Sequence, residues 1–196
     1  MKKHLLTIAA AFLAATTFAT PTLDPTNGSV EKKVVNVDAS KVTWKAYKVT
    51  GSHEGNINLA SGNLDFNGTT LIGGAFVVDM TTINITDLEG ESKQKLGGHL
   101  KSDDFFGTTK HKTAALEITS VKASGKNAYT ATANLTIKNI TKKVNFTISV
   151  YGNKATASLK VDRTEFDIRY RSGSFFDNLG DITIYDEFDL VVDLQF

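Results

Sequence analysis

From Val34 onward, apolar and polar residues alternate one by one along most of the chain. Val42, Trp44 and Ala46 alternate with Thr43, Lys45 and Tyr47, and Phe76, Val78 and Met80 form the next clear run. Leu116 and Ile118 follow, then Tyr129, Ala131, Ala133, Leu135 and Ile137 against Thr130, Thr132, Asn134 and Thr136. Val144, Phe146, Ile148 and Val150 make another run, as do Ala155, Ala157, Leu159 and Val161. The last reads Ile182, Ile184, Phe188, Leu190, Val192 and Leu194. This is the signature of strands with one buried face. Threonine fills many of the polar positions, as suits an exposed pleated surface. Turns are expected at Gly62-Asn63, Asn67-Gly68, Gly125-Lys126-Asn127 and Gly152-Asn153, the last tight enough for a hairpin. One stretch breaks the pattern. Leu88, Ser92, Leu96 and Leu100 recur every four residues, which predicts a helical segment from Asp87 to about Phe106. Ser102 is placed to cap a short second turn, with Asp103 and Asp104 at its N-terminal end. The whole predicts an all-β domain, an antiparallel sheet closed into a barrel or folded into a sandwich.

That choice decides whether the protein can hold a guest. A sandwich fills its core with two interdigitating faces, whereas a barrel of about eight strands can enclose one small ligand. The inward set includes Ala46, Ala131, Ala133, Ala155 and Ala157. These small side chains either leave volume unfilled or make room for Trp44, Phe76, Phe146 and Phe188 opposite them. Residue size leaves the two readings even. The inward set is almost free of ionisable groups, so any guest must be apolar.

The start of the chain has a different character. Lys2 and Lys3 precede an apolar stretch from Leu5 to Ala15, and Thr17-Phe18-Ala19 supplies a small-residue cleavage site. The stretch is short for a bilayer span, so residues 1–19 read as a signal peptide and the protein as exported, periplasmic or secreted, with no stable membrane insertion. Residues 20–33 contain both prolines and read as a flexible tether, leaving 34–196 as one domain. Removing Lys2 and Lys3 from 22 basic residues leaves 20 against 21 acidic ones, a net charge of −1. Such a balance gives no electrostatic pull toward nucleic acid. The chain has no cysteine, so neither disulfides nor zinc-thiolate sites arise.

Candidate chemistry is sparse. His53, His99 and His111 lack the short spacing of a metal site, and no cofactor or metal is expected. No serine sits in a G-x-S-x-G elbow, and the adjacent Asp103 and Asp104 cannot hold the separation that glycoside hydrolysis needs. All three arginines, Arg163, Arg169 and Arg171, fall in "RTEFDIRYR" among Asp162, Glu165 and Asp167. They form either a solvated cluster of weak ion pairs or a basic rim that meets a polar head group, with Phe175-Phe176 as an apolar flap beside it.

Several motifs carry a family likeness. "VDASKVTWKAYK" supplies Asp38, Ser40, Val42 and Trp44; "GSHEGNINLASGNLDF" supplies His53 and Gly55. "HLKSDDFF" is the most specific, through His99, Leu100, Ser102, Asp104, Phe105 and Phe106. "LTIKNITKKVNF" and "VDRTEFDI" complete the set. Over roughly Val37 to Phe196 the chain resembles the YceI family of exported, lipocalin-like, polyisoprenoid-binding proteins. It departs from that pattern with Lys112 and Lys143 where proline is common, and with Asn139 and Asp167 where glycine is common. These positions affect loop shape rather than fold.

The resemblance implies an antiparallel lipocalin-like barrel of about eight strands around a long apolar cavity, partly covered by the helical segment. The implied ligand is an isoprenoid, an isoprenoid quinone or a fatty amide, bound without catalysis. On this footing Trp44, Phe76, Val78, Leu116, Ala131, Ala133, Phe146, Phe188 and Leu190 are expected to line the cavity. His53 and Arg163 are expected at its mouth, and Leu96, Leu100, Phe105 and Phe106 as the apolar face of a lid. Two other readings stay open. One is an exported stress-response or adhesion domain that binds a protein or glycan on its outer surface; the other is an enzyme using His53 or His99. Whether two barrels pair as a homodimer is open as well.

Overall fold

The computed structural model describes residues 29–196. The expected signal peptide, and the tether as far as Gly28, lie outside the described residues. Among those described, nine strands and one α-helix follow in order: β1 (Val30–Val34), β2 (Lys41–Lys48), β3 (Gly51–Asn67), β4 (Thr70–Ile85), α1 (Gly90–Lys101), β5 (Thr113–Gly125), β6 (Ala128–Ile137), β7 (Ile140–Tyr151), β8 (Lys154–Asp162) and β9 (Ile184–Gln195), with two short 3-10 turns, Arg163–Phe166 and Gly180–Ile182, between β8 and β9. The sheet runs β1-β3-β2-β9-β8-β7-β6-β5-β4, and pairing of β4 with β3 closes it. Eight strands, β2 to β9, therefore form an antiparallel barrel with one helix, as the residue pattern and the family likeness together led one to expect.

β3 is the hinge of this arrangement. Its first half pairs with β2, from Lys48↔Gly51 to Val42↔Ile57. Its second half pairs with β1, from Val34↔Asn63 to Val30↔Asn67. Its other edge follows β4 throughout, with register shifts between Asn56 and Asn58, Leu59 and Ser61, and Asp65 and Phe66. Such bulges bend a strand pair and tighten its twist, which long strands need to wrap a barrel.

Two local expectations are revised. Residues 30–33, read as tether, belong to β1. This strand is mostly exposed and held by its ladder, so no buried alternation marks it. Gly62-Asn63, read as a turn, lies inside β3. A Cβ on Gly62 would stand 2.6 Å from Phe76 Cδ1, so the glycine serves a close cross-strand approach rather than a reversal. The other expected turns are present, and a further one joins β6 to β7. There Lys138 (φ 50°) and Asn139 (φ 62°) both take left-handed conformations, the requirement of a two-residue type I′ hairpin. Asp167 is also left-handed, at φ 57°. Thus Asn139 and Asp167, standing where glycine is common in the resembling family, adopt the conformation that glycine favours; Asn and Asp tolerate it best among the other residues.

The connectivity gives the barrel two unlike ends. The β3–β4, β5–β6 and β7–β8 hairpins share one end. Leu64, Phe66, Leu71, Ala131, Ile148 and Ala155 are all buried in the core. The other end carries the β2–β3 and β6–β7 hairpins, α1 with its link to β5, and the long β8–β9 connection. The site lies toward this second end.

Candidate functional site

Strand parity turns alternate side chains inward, but the inward faces do not fill the barrel. A hollow of about 120 Å³ is lined by Trp44, Val78, Ala114, Arg163, Phe188 and Leu190, among others, and is roofed by Leu100, Phe105 and Phe106. A second space of about 90 Å³ lies among Phe76, Leu116, Phe146, Ala157 and Leu159. The two share Val42, Val78, Ala114, Leu135 and Leu190 as walls, so they adjoin. A third space, of about 70 Å³, lies beneath α1 among Trp44, His53, Leu96, His99 and Phe105. It shares Trp44, Ala46, Leu100, Phe105 and Ile184 with the first. The linings are almost wholly hydrocarbon, and apolar cavities of this kind stay dry.

This explains a feature of the burial pattern. Phe76, Val78, Leu116, Phe188 and Leu190 point inward yet are only partly buried. Their free surface faces the hollow. Of the residues expected as cavity wall, these five line it, together with Trp44 and Phe146. Ala131 and Ala133 do not. Both are 0% exposed, and their cross-strand neighbours Phe146, Val121, Ile118 and Val144 fill the space around them. At those two positions a small side chain makes room for larger neighbours.

The expected lid is built from the end of α1 and the turn after it. Ser102 stops the helix, its Oγ donating to the His99 carbonyl at 2.7 Å. The chain then folds back, with Phe106 N–H donating to the Leu100 carbonyl and Gly107 N–H to the Ser102 carbonyl. This places Phe105 and Phe106 edge to face at 5.1 Å between centroids, under the helix and over the first hollow. All four expected lid residues, Leu96, Leu100, Phe105 and Phe106, border the hollows. Exposed charge, including the Lys110–Asp103 pair at 2.6 Å, lies outside.

Arg163 borders the first hollow but is not a free cation at its mouth. It is buried, and its guanidinium donates to the carbonyls of Ile168 (2.6 Å), Ile184 (3.0 Å) and Tyr185 (3.2 Å), and to Asp186 Oδ1 (3.3 Å). It also lies over the Phe105 ring at 5.7 Å. The residue therefore clasps the β8–β9 connection to the start of β9 beneath the lid. Arg169 pairs with Asp167 and stacks on Phe175, and Arg171 lies over Tyr170. His53 borders the space under α1, with Nδ1 2.8 Å from Asp87 Oδ2. Partial burial would raise the Asp87 pKa, but hydrogen bonds from His53 and the Glu54 N–H outweigh it and hold the carboxyl below its usual range.

Sequence reasoning did not pair His99 with Tyr170, whose rings lie 4.3 Å apart; Phe105 meets His99 at 5.5 Å on another side. The lid thus meets the β8–β9 connection through an imidazole. Burial pushes the His99 pKa below the ordinary histidine value; Asp104 opposes this and Arg171 adds to it. The folded state therefore resists a proton that the unfolded chain accepts below about pH 6.5. The stability this contact provides is complete above that pH and is lost as pH falls toward the folded pKa. Between about pH 7.5 and about pH 5.5, wild type is expected to lose more stability to urea than His99→Phe, which keeps the ring and cannot titrate. Equal losses would show that His99 is not the titrating group.

Among the described residues no group of three or more His, Asp or Glu converges as a metal site, and no helix is long and apolar enough to cross a membrane.

Comparison with known proteins gives the same architecture. The family model for the YceI-like domain matches residues 22–196. A UPF0312 protein of Azotobacter vinelandii is 41% identical over 46 residues, 24% of either chain. One of Ectopseudomonas mendocina is 44% identical over the same length and share. The match spans about a quarter of the length of each curated relative. Among solved structures, Burkholderia cenocepacia BcnA superposes with a TM-score of 0.66 at 18% identity, covering 82% of this chain and 98% of that one. A polyisoprenoid binding domain from Saccharophagus degradans, implicated in plant cell wall breakdown, gives 0.56 at 13% identity, covering 83% and 97%. The Campylobacter jejuni YCEI protein gives 0.53 at 16%, covering 93% and 92%. At such identities the likeness is one of fold.

Proposed function

The chain belongs to the family of YceI-like domains, and on that premise we propose that it binds a long-chain isoprenoid lipid inside the barrel and carries or stores it without chemistry. The observation that supports this most is the pair of adjoining apolar hollows, the first covered by Leu100, Phe105 and Phe106, walled jointly by Val42, Val78, Ala114, Leu135 and Leu190. Each methylene moved from water into such a lining gains about 0.8 kcal/mol. The chain offers an extended hydrocarbon far more than it offers any polar substrate, even after the cost of ordering the guest. Export through the N-terminal leader belongs to this reading, since a lipid crossing an aqueous compartment needs a shielded path. A related fold is named for polyisoprenoid binding, which makes isoprenoids the first ligands to try.

Organic extraction of the purified protein followed by mass spectrometry is the test. The expected result is an isoprenoid or isoprenoid quinone at about one molecule per barrel. Protein that carries no lipid and takes up neither a ubiquinone nor a menaquinone analogue contradicts the proposal. It would turn attention to the outer surface, and to a protein or glycan partner.

A further inference from the structure

Ten large apolar side chains are exposed among the described residues, and five of them belong to the end of the barrel where the site lies: Val49, Phe175, Phe176, Ile182 and Tyr185. Val49 is in the β2–β3 hairpin, and the other four are in the β8–β9 connection or at the start of β9. Hydrogen bonds tie these segments together. Val49 N–H donates to the Thr183 carbonyl at 3.2 Å, and Ile184 N–H to the Arg171 carbonyl at 2.9 Å. The Phe175 and Phe176 N–H groups both donate to the Ser172 carbonyl, and Ser174 Oγ–H donates to Asp186 Oδ2 at 2.6 Å. A braced turn therefore holds the phenyl pair out, beside the segment that carries Ile182 and Tyr185. Phe175 and Phe176 border none of the three hollows, so a role as cavity wall does not account for them. Tyr185 borders the first hollow and is itself half exposed, which brings the patch to the edge of the cavity.

We propose that this patch docks the protein on a lipid bilayer, with Phe175, Phe176 and Ile182 inserted among the head groups, so that lipid passes between membrane and barrel at this end. The proposal rests on the lipid-binding reading above and adds the surface across which the lipid is exchanged. Three observations favour a bilayer over a protein partner. Five side chains exposed by about half offer roughly 400 Å² of apolar surface, about half of what one partner gives to a stable protein interface. Residues 169–183 carry Arg169 and Arg171 against Asp177 and Asp181, so the patch has no net charge with which to select an acidic or basic partner. Arg169 lies over the Phe175 ring at 4.6 Å, a pairing of cation and aromatic face that suits the boundary between head groups and acyl chains. With charge balanced, apolar insertion drives the docking, and anionic lipid adds little to it.

The test is flotation of the purified protein with phosphatidylcholine vesicles, with and without phosphatidylglycerol. Wild type is expected to float with both, its partition coefficients agreeing within about twofold and holding at high salt. The double substitution Phe175→Ser, Phe176→Ser lowers the partition coefficient roughly tenfold. Tyr151→Ser removes an equally exposed ring from the β7–β8 hairpin at the opposite end and stays within about twofold of wild type. All three proteins take up a ubiquinone analogue from detergent micelles alike, since none of the substituted residues borders a hollow. A second readout needs no variant: nitroxide-labelled lipid in the vesicles broadens the backbone amide resonances of residues 174–183 and spares those of the β7–β8 hairpin. Broadening without that selectivity, flotation untouched by the double substitution, or flotation confined to anionic vesicles and lost in salt overturns the proposal. So does a dimer in solution that the double substitution dissociates, which makes the patch an interface between copies. Wild type that takes up the analogue from micelles and does not float defeats this proposal alone. Wild type that floats through the phenyl pair and takes up no analogue supports the docking surface and defeats the lipid-binding reading.

Discussion

Ala114→Phe is expected to abolish lipid uptake while changing stability by less than about 1.5 kcal/mol. Ala114 stands on β5 opposite Val78 and is a wall of both main hollows. A phenyl ring there occupies space that no protein atom now fills, so it gains packing contacts and forces few neighbours aside. It also blocks the passage between the hollows, where a hydrocarbon must pass. The matched control is Ala131→Phe. Ala131 is on the inward face too, but it is 0% exposed and is hemmed in by Phe146 and Val121. Overpacking of that kind costs about 1–3 kcal/mol. Urea unfolding and lipid loading of the two variants should therefore diverge in opposite senses. If both lose stability equally, the hollow at Ala114 closes in solution and the cavity account fails.

Arg163→Ala is expected to cost about 3–5 kcal/mol, the range for removing one partner of a buried charged network. The substitution leaves Asp186 without its cation and the carbonyls of Ile168, Ile184 and Tyr185 without their donor. Phe105 loses the guanidinium that lies against it, so the lid loosens with the β8–β9 connection. Arg163→Lys restores only part of the loss, because one ammonium cannot reproduce a planar fork serving separate carbonyls. Urea denaturation gives the magnitude, and limited proteolysis should locate new cleavage between residues 163 and 183. A loss under about 1 kcal/mol would mean that the clasp is not load-sharing in solution.

What the sequence revealed, and what it hid, follow from one property of strands. Alternation reports which face a side chain occupies and says nothing of its height along the barrel. Parity alone marked Trp44, Phe76, Val78, Leu116, Phe146, Phe188 and Leu190 as inward-facing, and the family resemblance made that inward face a cavity wall. Ala131 and Ala133 share that parity, but their neighbours fill the space about them, and only the register of β5, β6 and β7 shows it. Ala114 was overlooked because the run was read from Leu116, whereas β5 starts at Thr113. β1 carries no buried stripe to read. The helical segment was visible through its four-residue spacing, and its expected role as a lid came from the resemblance carried by the His99–Phe106 motif. Its contact with Tyr170 was not visible, since the β8–β9 connection has no period and reaches His99 only through the closed fold. Arg163 was noticed for its charge, yet its role is to bond backbone, which no spacing discloses.

The most direct test is a crystal structure of the protein with its copurified or added isoprenoid lipid. The account predicts continuous ligand density from beneath Leu100 and Phe105, past Ala114 and Leu190, to the space between Phe146 and Leu159. Density confined to the outer face of the barrel, or an interior closed by side chains between Val78 and Leu135 with lipid excluded, would contradict it.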